Sequence, residues 1–310
     1  MTRRTQGAAS LLLAVVLTAG CSGRTPSNDA DRSAAPTPTP ATSIAPRATE
    51  VPSLAPSFPP ATAFEVEVDG LTIVGHCSGI RVAGEPAVIL QHGNGGGQNH
   101  LRRIEQHLAT SRLVCAYDRP GGNGRSDLPG QRPRPIVEVA TEAHEVVIAA
   151  GIEPPYFLVG QSAGAAITVV FAHLFAAEVV GFVASNPNPP YTAWIEAVRQ
   201  VASEAEINSL ELPDYRGENP EGIDFTGNDL MLEPLPASMP YAVLFDEDCR
   251  LLGFYCDRIL EPLAQTQSLI ADAGEGGRFL WVEGAGHEIP ETEPELVFDM
   301  IDEVWGEATD

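Results

Sequence analysis

The segment Gly160-Gln161-Ser162-Ala163-Gly164 constrains this chain more than any other. A short apolar run, Tyr156-Phe157-Leu158-Val159, precedes it, and an alanine- and valine-rich run to Ala176 follows. The order is strand, tight turn with one serine, helix. Flanking glycines let a strand reverse sharply into a helix and leave the central side chain standing at the tip. The helix that starts there also turns free backbone N–H groups toward whatever the serine meets. Five residues of this kind recur easily in a chain with 29 glycines, so the surrounding sequence has to decide their meaning.

The N-terminus reads as an export signal. Arg3 and Arg4 form a positive start, and Ala8–Val16 is an apolar core far short of the roughly 20 residues that span a bilayer. Leu17-Thr18-Ala19-Gly20-Cys21 then resembles a bacterial lipoprotein signal. That resemblance implies removal of residues 1–20 and a lipid on Cys21. From 21 to 62 the chain is rich in Pro, Ala, Thr and Ser, with too little apolar surface to offset the entropy of ordering. It is expected to be a disordered tether of roughly 35 Å coil span, lengthened by proline. The protein is therefore expected to be exported and held by lipid on the outer face of a bacterial membrane.

Residues 63–310 are long enough for one large α/β domain. The chain has no lysine. From residue 61 onward, 13 arginines face 39 acids. Nucleic-acid binding needs a basic footprint, so nucleic acid is not an expected partner. Membrane contact is expected through the lipid, because this surface repels anionic headgroups.

With Cys21 set aside, Cys77, Cys115, Cys249 and Cys256 remain, an even number in an exported domain. Three pairings are possible. Cys77–Cys115, between two predicted strands, and Cys249–Cys256, across a short loop, are the favoured ones.

Strands are predicted at 64–68 and 71–76, around the turn Asp69-Gly70, and at 87–91, 112–117, 156–159, 179–185, 241–245 and 278–282. Helices are predicted at 99–109, 135–150, 163–176 and 293–305. Short apolar strands alternating with helices give a mostly parallel sheet flanked by helices, with sites at the carboxyl ends of its strands. The alternation breaks over 187–240. Within it, 204–233 carries nine acids and the single basic residue Arg216. This segment is expected to be an inserted cap.

A serine nucleophile needs a base, a group that orients the base, and donors for the oxyanion. His287, in Gly284-Ala285-Gly286-His287, follows the last predicted strand and is the expected base. His144 and His173 fall within predicted helices as structural residues, and His92 is placed to position the glycine loop after it. The orienting acid should follow the 241–245 strand. Asp248 is favoured for its reach, and Asp246 is the second choice. The oxyanion donors should be the backbone N–H groups of Ala163 and of Asn94, in the loop Gly93–Gly97. That loop lacks the third glycine of G-x-G-x-x-G and any G-K-[ST], and no H-E-x-x-H occurs. Neither a metal nor a cofactor is expected.

His92-Gly93-Asn94-Gly95, Tyr117-Asp118-Arg119-Pro120-Gly121, Gly160-Gln161-Ser162-Ala163-Gly164 and Gly286-His287 together resemble the α/β-hydrolase fold family, in its order of serine, acid, histidine. The resemblance spans nearly all of 64–310. It implies a serine hydrolase that works through an acyl-enzyme, with a small-molecule ester or amide as substrate. Ser162 speaks against the epoxide hydrolase and dehalogenase branches, which use aspartate. Two departures stand out. There is an extra glycine between Asp118 and Ser126, and Gln161 replaces a common histidine, a change expected to touch neither nucleophile nor base. A carboxylesterase is the favoured reading. An aminopeptidase whose cap acid grips a substrate ammonium, and a binding lipoprotein without catalysis, are the alternatives.

Overall fold

A computed structural model of the chain describes residues 61–123, 125–130, 132–207, 216–246 and 256–310. Cys21, the signal and nearly all of the tether lie outside these residues, as do Asp248 and Cys249 and the side chain of Cys256.

Eight of the described strands form one sheet, in the order β1-β2-β4-β3-β6-β7-β9-β10. β1 (Thr62–Val68) and β2 (Leu71–Ser78) are a hairpin. Its turn puts both Asp69 and Gly70 at positive φ, as a type I′ hairpin turn requires. β2 runs antiparallel to β4 (Val114–Tyr117). From β4 onward the pairs are parallel, through β3 (Ala87–Gln91), β6 (Tyr156–Gln161), β7 (Val179–Ser185), β9 (Tyr241–Asp246) and β10 (Gly277–Val282). The first strand begins at Thr62, just inside the stretch assigned to the tether.

The central strands are buried on both faces, so they read as continuous apolar runs. Alternate residues feed opposite cores. Ile89, Leu158, Phe182 and Val243 pack with α2 (Ile136–Ala149) and α3 (Ala163–Leu174). Val88, Leu90, Val159, Val183 and Leu244 pack with α1 (Arg102–Leu108) and α8 (Pro294–Thr309). α3 is apolar all round because sheet, α2 and the 3-10 turn Asn228–Leu232 enclose it. The expected disulfide Cys77–Cys115 is present, at directly opposed positions of β2 and β4.

Two helices longer than a single turn were not expected. α4 (Tyr191–Arg199) lies in the insertion, and α6 (Cys256–Ala271) follows β9. α4 and the short α5 (Glu204–Ile207) share a small core with α6, made of Trp194, Ile195, Val198, Ile207 and Ile259. α6 hides from sequence reading because its buried face includes Thr266 and Gln267, and because Pro262 lies inside it. The insertion is tied to the body by a second, two-residue pairing, β5 (Arg134–Pro135) with β8 (Ile223–Asp224).

Candidate active site

The elbow takes the expected form, but strain and space are divided differently. Ser162 itself holds the positive φ, at 54° with ψ −122°, while neither Gly160 nor Gly164 does. Such a backbone costs of order 1–3 kcal/mol and persists only where neighbours enforce it. They do so here: Ser162 N–H donates to Ser185 O at 2.9 Å, and its own carbonyl accepts from Ala165 and Ala166. The glycines are needed for contact. A Cβ on Gly160 would sit 2.5 Å from both Gly164 O and Thr168 Oγ1, and one on Gly164 would overlap the carbonyl oxygens of Gln91 and His92. The start of α3 is thereby pressed against the end of β3.

His287 stands on the short α7 side of the loop after β10, just before α7 (Ile289–Thr292). Its Nε2 is 3.0 Å from Ser162 Oγ. A hydroxyl and an imidazole in this relation can pass a proton between them. At the other ring edge, His287 Nδ1 lies 2.7 Å from the amide nitrogen of Asn186, and that nitrogen donates to Asp246 Oδ2 at 2.9 Å. Asp246 ends β9 and is buried. Asn186 directly follows β7 with φ 53°, and the Gln267 amide of α6 approaches its side-chain oxygen. Sequence reading missed Asn186. The signal available was its place one residue past the carboxyl end of a central strand, where sites in such sheets form.

Contrary to expectation, Gln161 touches the loop that carries the expected base. It is fully buried, its amide donates to the His287 backbone carbonyl at 3.3 Å, and its oxygen packs against Gly93. A second tie fixes the same loop from the turn just before α1: His100 Nε2 and Glu288 Oε2 are 3.1 Å apart. The His100 hydrogen bond holds the Glu288 carboxyl below the usual carboxylate range.

Asn94 and Ala163, the expected oxyanion donors, make no backbone hydrogen bond through their N–H groups among the described residues. His92 positions the glycine loop as expected. Burial first, and the nearby Arg119 charge second, push its pKa well below the ordinary value, so the ring is neutral. Nε2 accepts from Arg119 N–H at 3.2 Å, which leaves Nδ1–H to donate to Gly93 O at 2.7 Å. His144 and His173 are structural. The first pairs with Glu178 and stacks on Phe175, and the second is bonded to the Val169 and Glu233 carbonyl oxygens.

Comparison with known proteins agrees with this architecture. The sequence profile of the alpha/beta hydrolase fold matches residues 86–204. The chain is 33% identical over 82 residues to an uncharacterized hydrolase, YraK, of Bacillus subtilis, a match covering 26% of this chain and 30% of that protein. It is also 33% identical over 115 residues to a probable transporter, efuK, of Hormonema carpetanum, covering 36% of this chain and 16% of that one. The chain thus spans under a third of the length of either relative. Among solved structures, a hydrolase of Pseudomonas aeruginosa superposes with TM-score 0.56 at 17% identity, covering 79% of this chain and 98% of its own. A thermophilic esterase of Thermogutta terrifontis superposes with TM-score 0.54 at 16% identity, covering 81% and 100%. Strand order, elbow, profile match and structural neighbours converge: the chain has the α/β-hydrolase fold.

Proposed function

We propose that the protein is an exported, membrane-anchored serine hydrolase that cleaves carboxylic esters through an acyl-enzyme on Ser162. The observation that carries this reading is the 3.0 Å approach of His287 Nε2 to Ser162 Oγ at a strained strand-to-helix turn. Ser162 Oγ attacks the ester carbonyl carbon, and its proton passes to His287 Nε2. The oxyanion that forms is received by the N–H groups of Asn94 and Ala163. Collapse of this tetrahedral species breaks the bond to the alcohol, which leaves with the proton from His287. Water, deprotonated by the same ring, then attacks the acyl-enzyme and returns Ser162. Asp248 orients the imidazole and carries the compensating charge. Asp246 holds Asn186 beside the ring. Cys21 carries the lipid, and the tether sets the domain off the membrane.

Esters are favoured over peptides with a free N-terminus by the use made of the insertion's acids. Glu204 and Glu206 pair with Arg199 and Arg258, Asp224 and Asp229 bind Thr226 and Thr192, and Glu221 pairs with Arg119. These five carboxylates are already engaged, which weakens the case for an ammonium clamp built from them. A non-catalytic binding protein would have no use for the strained serine.

The test is covalent. A fluorophosphonate probe should label the full-length chain on the peptide holding Ser162, and labelling should disappear in Ser162→Ala and in His287→Ala. Equal labelling of wild type and Ser162→Ala would refute the assignment. Asp248→Asn should slow ester turnover by on the order of 10⁴, and Asp246→Asn by far less. The reverse order would make Asp246 the orienting acid.

A further inference from the structure

Glu221 belongs to the insertion between β7 and β9, yet its carboxylate is used up at the glycine loop. It is fully buried, and so is its partner Arg119. The guanidinium binds it with two hydrogen bonds, Nε to Oε2 at 2.7 Å and Nη2 to Oε1 at 2.9 Å. The same Oε1 accepts the Gly95 N–H at 2.8 Å, and Arg119 Nη2 also donates to Gly93 O at 3.2 Å. Pro220, the preceding residue, lies against Gly95. A buried ion pair of this kind is a poor way to gain stability, because desolvating both charges cancels most of their attraction. What it does supply is fixed geometry.

That geometry bears on one peptide plane. Gly93 C=O and Asn94 N–H belong to the same peptide unit and, in a trans peptide, point in opposite directions. Gly93 O is held by three donors: His92 Nδ1 at 2.7 Å, Gly96 N–H at 3.1 Å and Arg119 Nη2 at 3.2 Å. With the carbonyl fixed toward this cluster, Asn94 N–H must face the other way. On the far side of Asn94, Glu221 holds Gly95 N–H. Glu221 therefore secures both flanks of the proposed oxyanion donor, one directly and one through Arg119.

We infer that Glu221, supplied by the insertion, is a positioning residue that aims the Asn94 N–H through Arg119 and the Gly93–Gly95 turn. The inference rests on the serine hydrolase reading and adds that the inserted segment is part of the catalytic frame. A loose donor lowers transition-state binding and leaves ground-state binding alone. The effect should therefore fall on kcat rather than KM.

The experiment compares full-length wild type, Ser162→Ala and Glu221→Gln in p-nitrophenyl ester turnover and in affinity for an alkylboronic acid. The boronic acid mimics the tetrahedral oxyanion on Ser162. Glu221→Gln should lose about tenfold to a hundredfold in kcat, less than outright removal of an oxyanion donor. KM should stay within about twofold, and boronic acid affinity should fall by the same factor as kcat. A purely structural role would lower the melting temperature and leave kcat unchanged below it. If Glu221→Gln does not fold, the double variant Arg119→Met/Glu221→Leu replaces the pair with apolar bulk and is read instead. It should show the same kcat and boronic acid losses, since Gly95 N–H and Gly93 O lose their partners there too. In whichever variant folds, kcat and boronic acid affinity within twofold of wild type would overturn the inference. Undiminished turnover by Ser162→Ala would instead defeat the serine hydrolase reading, a separate result.

Discussion

Gly164 has no room for a side chain, because a methyl there would overlap the carbonyl oxygens of Gln91 and His92. Gly164→Ala should therefore destabilise the fold by about 1–3 kcal/mol, seen as a lower urea midpoint. An unchanged midpoint would mean that β3 and α3 can part at little cost. At this scale the sequence announced the residues whose chemistry is local. Ser162, His287 and His92 were legible because each sits in a motif whose glycines and flanking strand dictate its place. Asn186, Gln161 and Glu221 were not, because their roles arise from long-range contacts. Glu221 lies 102 positions from Arg119, and Asn186 lies 101 from His287. No local pattern of charge or apolar spacing encodes such pairs. The acidic run around Glu221 suggested a surface that faces substrate, whereas its most buried acid faces inward.

Among the elements, β2 and α1 are joined by a buried pair whose strength depends on pH. His76 Nε2 meets Glu105 Oε1 at 2.8 Å, Ser78 donates to the same oxygen, and Gln98 closes the other edge of the ring. The bond to Glu105 raises the His76 pKa above its ordinary 6.5, against the opposing effect of burial. Burial pushes Glu105 up, but the bonds from His76 and Ser78 outweigh it and bring the carboxyl below its ordinary 4.5. The histidine's share of stability is complete below pH 6.5 and fades as pH climbs through its folded value. The acid's share is complete above pH 4.5 and fades as pH falls through its own. Raising pH from 6.5 should thus lower the urea midpoint of wild type more than that of His76→Gln, which has no ring to titrate. Parallel slopes would contradict this account. The strands of the sheet were readable to within two residues at each end, and the central ones most plainly, since runs buried on both faces read as continuous apolar stretches. α4 and α6 were not, since each packs in part on the other, and buried Thr266 and Gln267 interrupt the apolar stripe of α6.

For the whole molecule, two halves of the proposal need separate tests. Anchoring is checked by fractionation: in a bacterial host the wild type should sediment with membranes, and Cys21→Ser should not acquire lipid and should leave that fraction. Co-sedimentation of both would place the anchor elsewhere. The insertion, expected as a cap, proves to be fastened to the body by the β5–β8 pairing and by Glu221, so the domain and its excursion form one frame around the glycine loop. The central claim concerns what that frame does. Its most direct measurement is the steady-state hydrolysis of p-nitrophenyl butyrate by the full-length protein and by Ser162→Ala, at equal concentration and with folding checked by circular dichroism. Turnover by wild type that falls at least a thousandfold in the variant, on the order expected for loss of a nucleophile, is the predicted result. Equal rates in the two proteins, both folded, would contradict it.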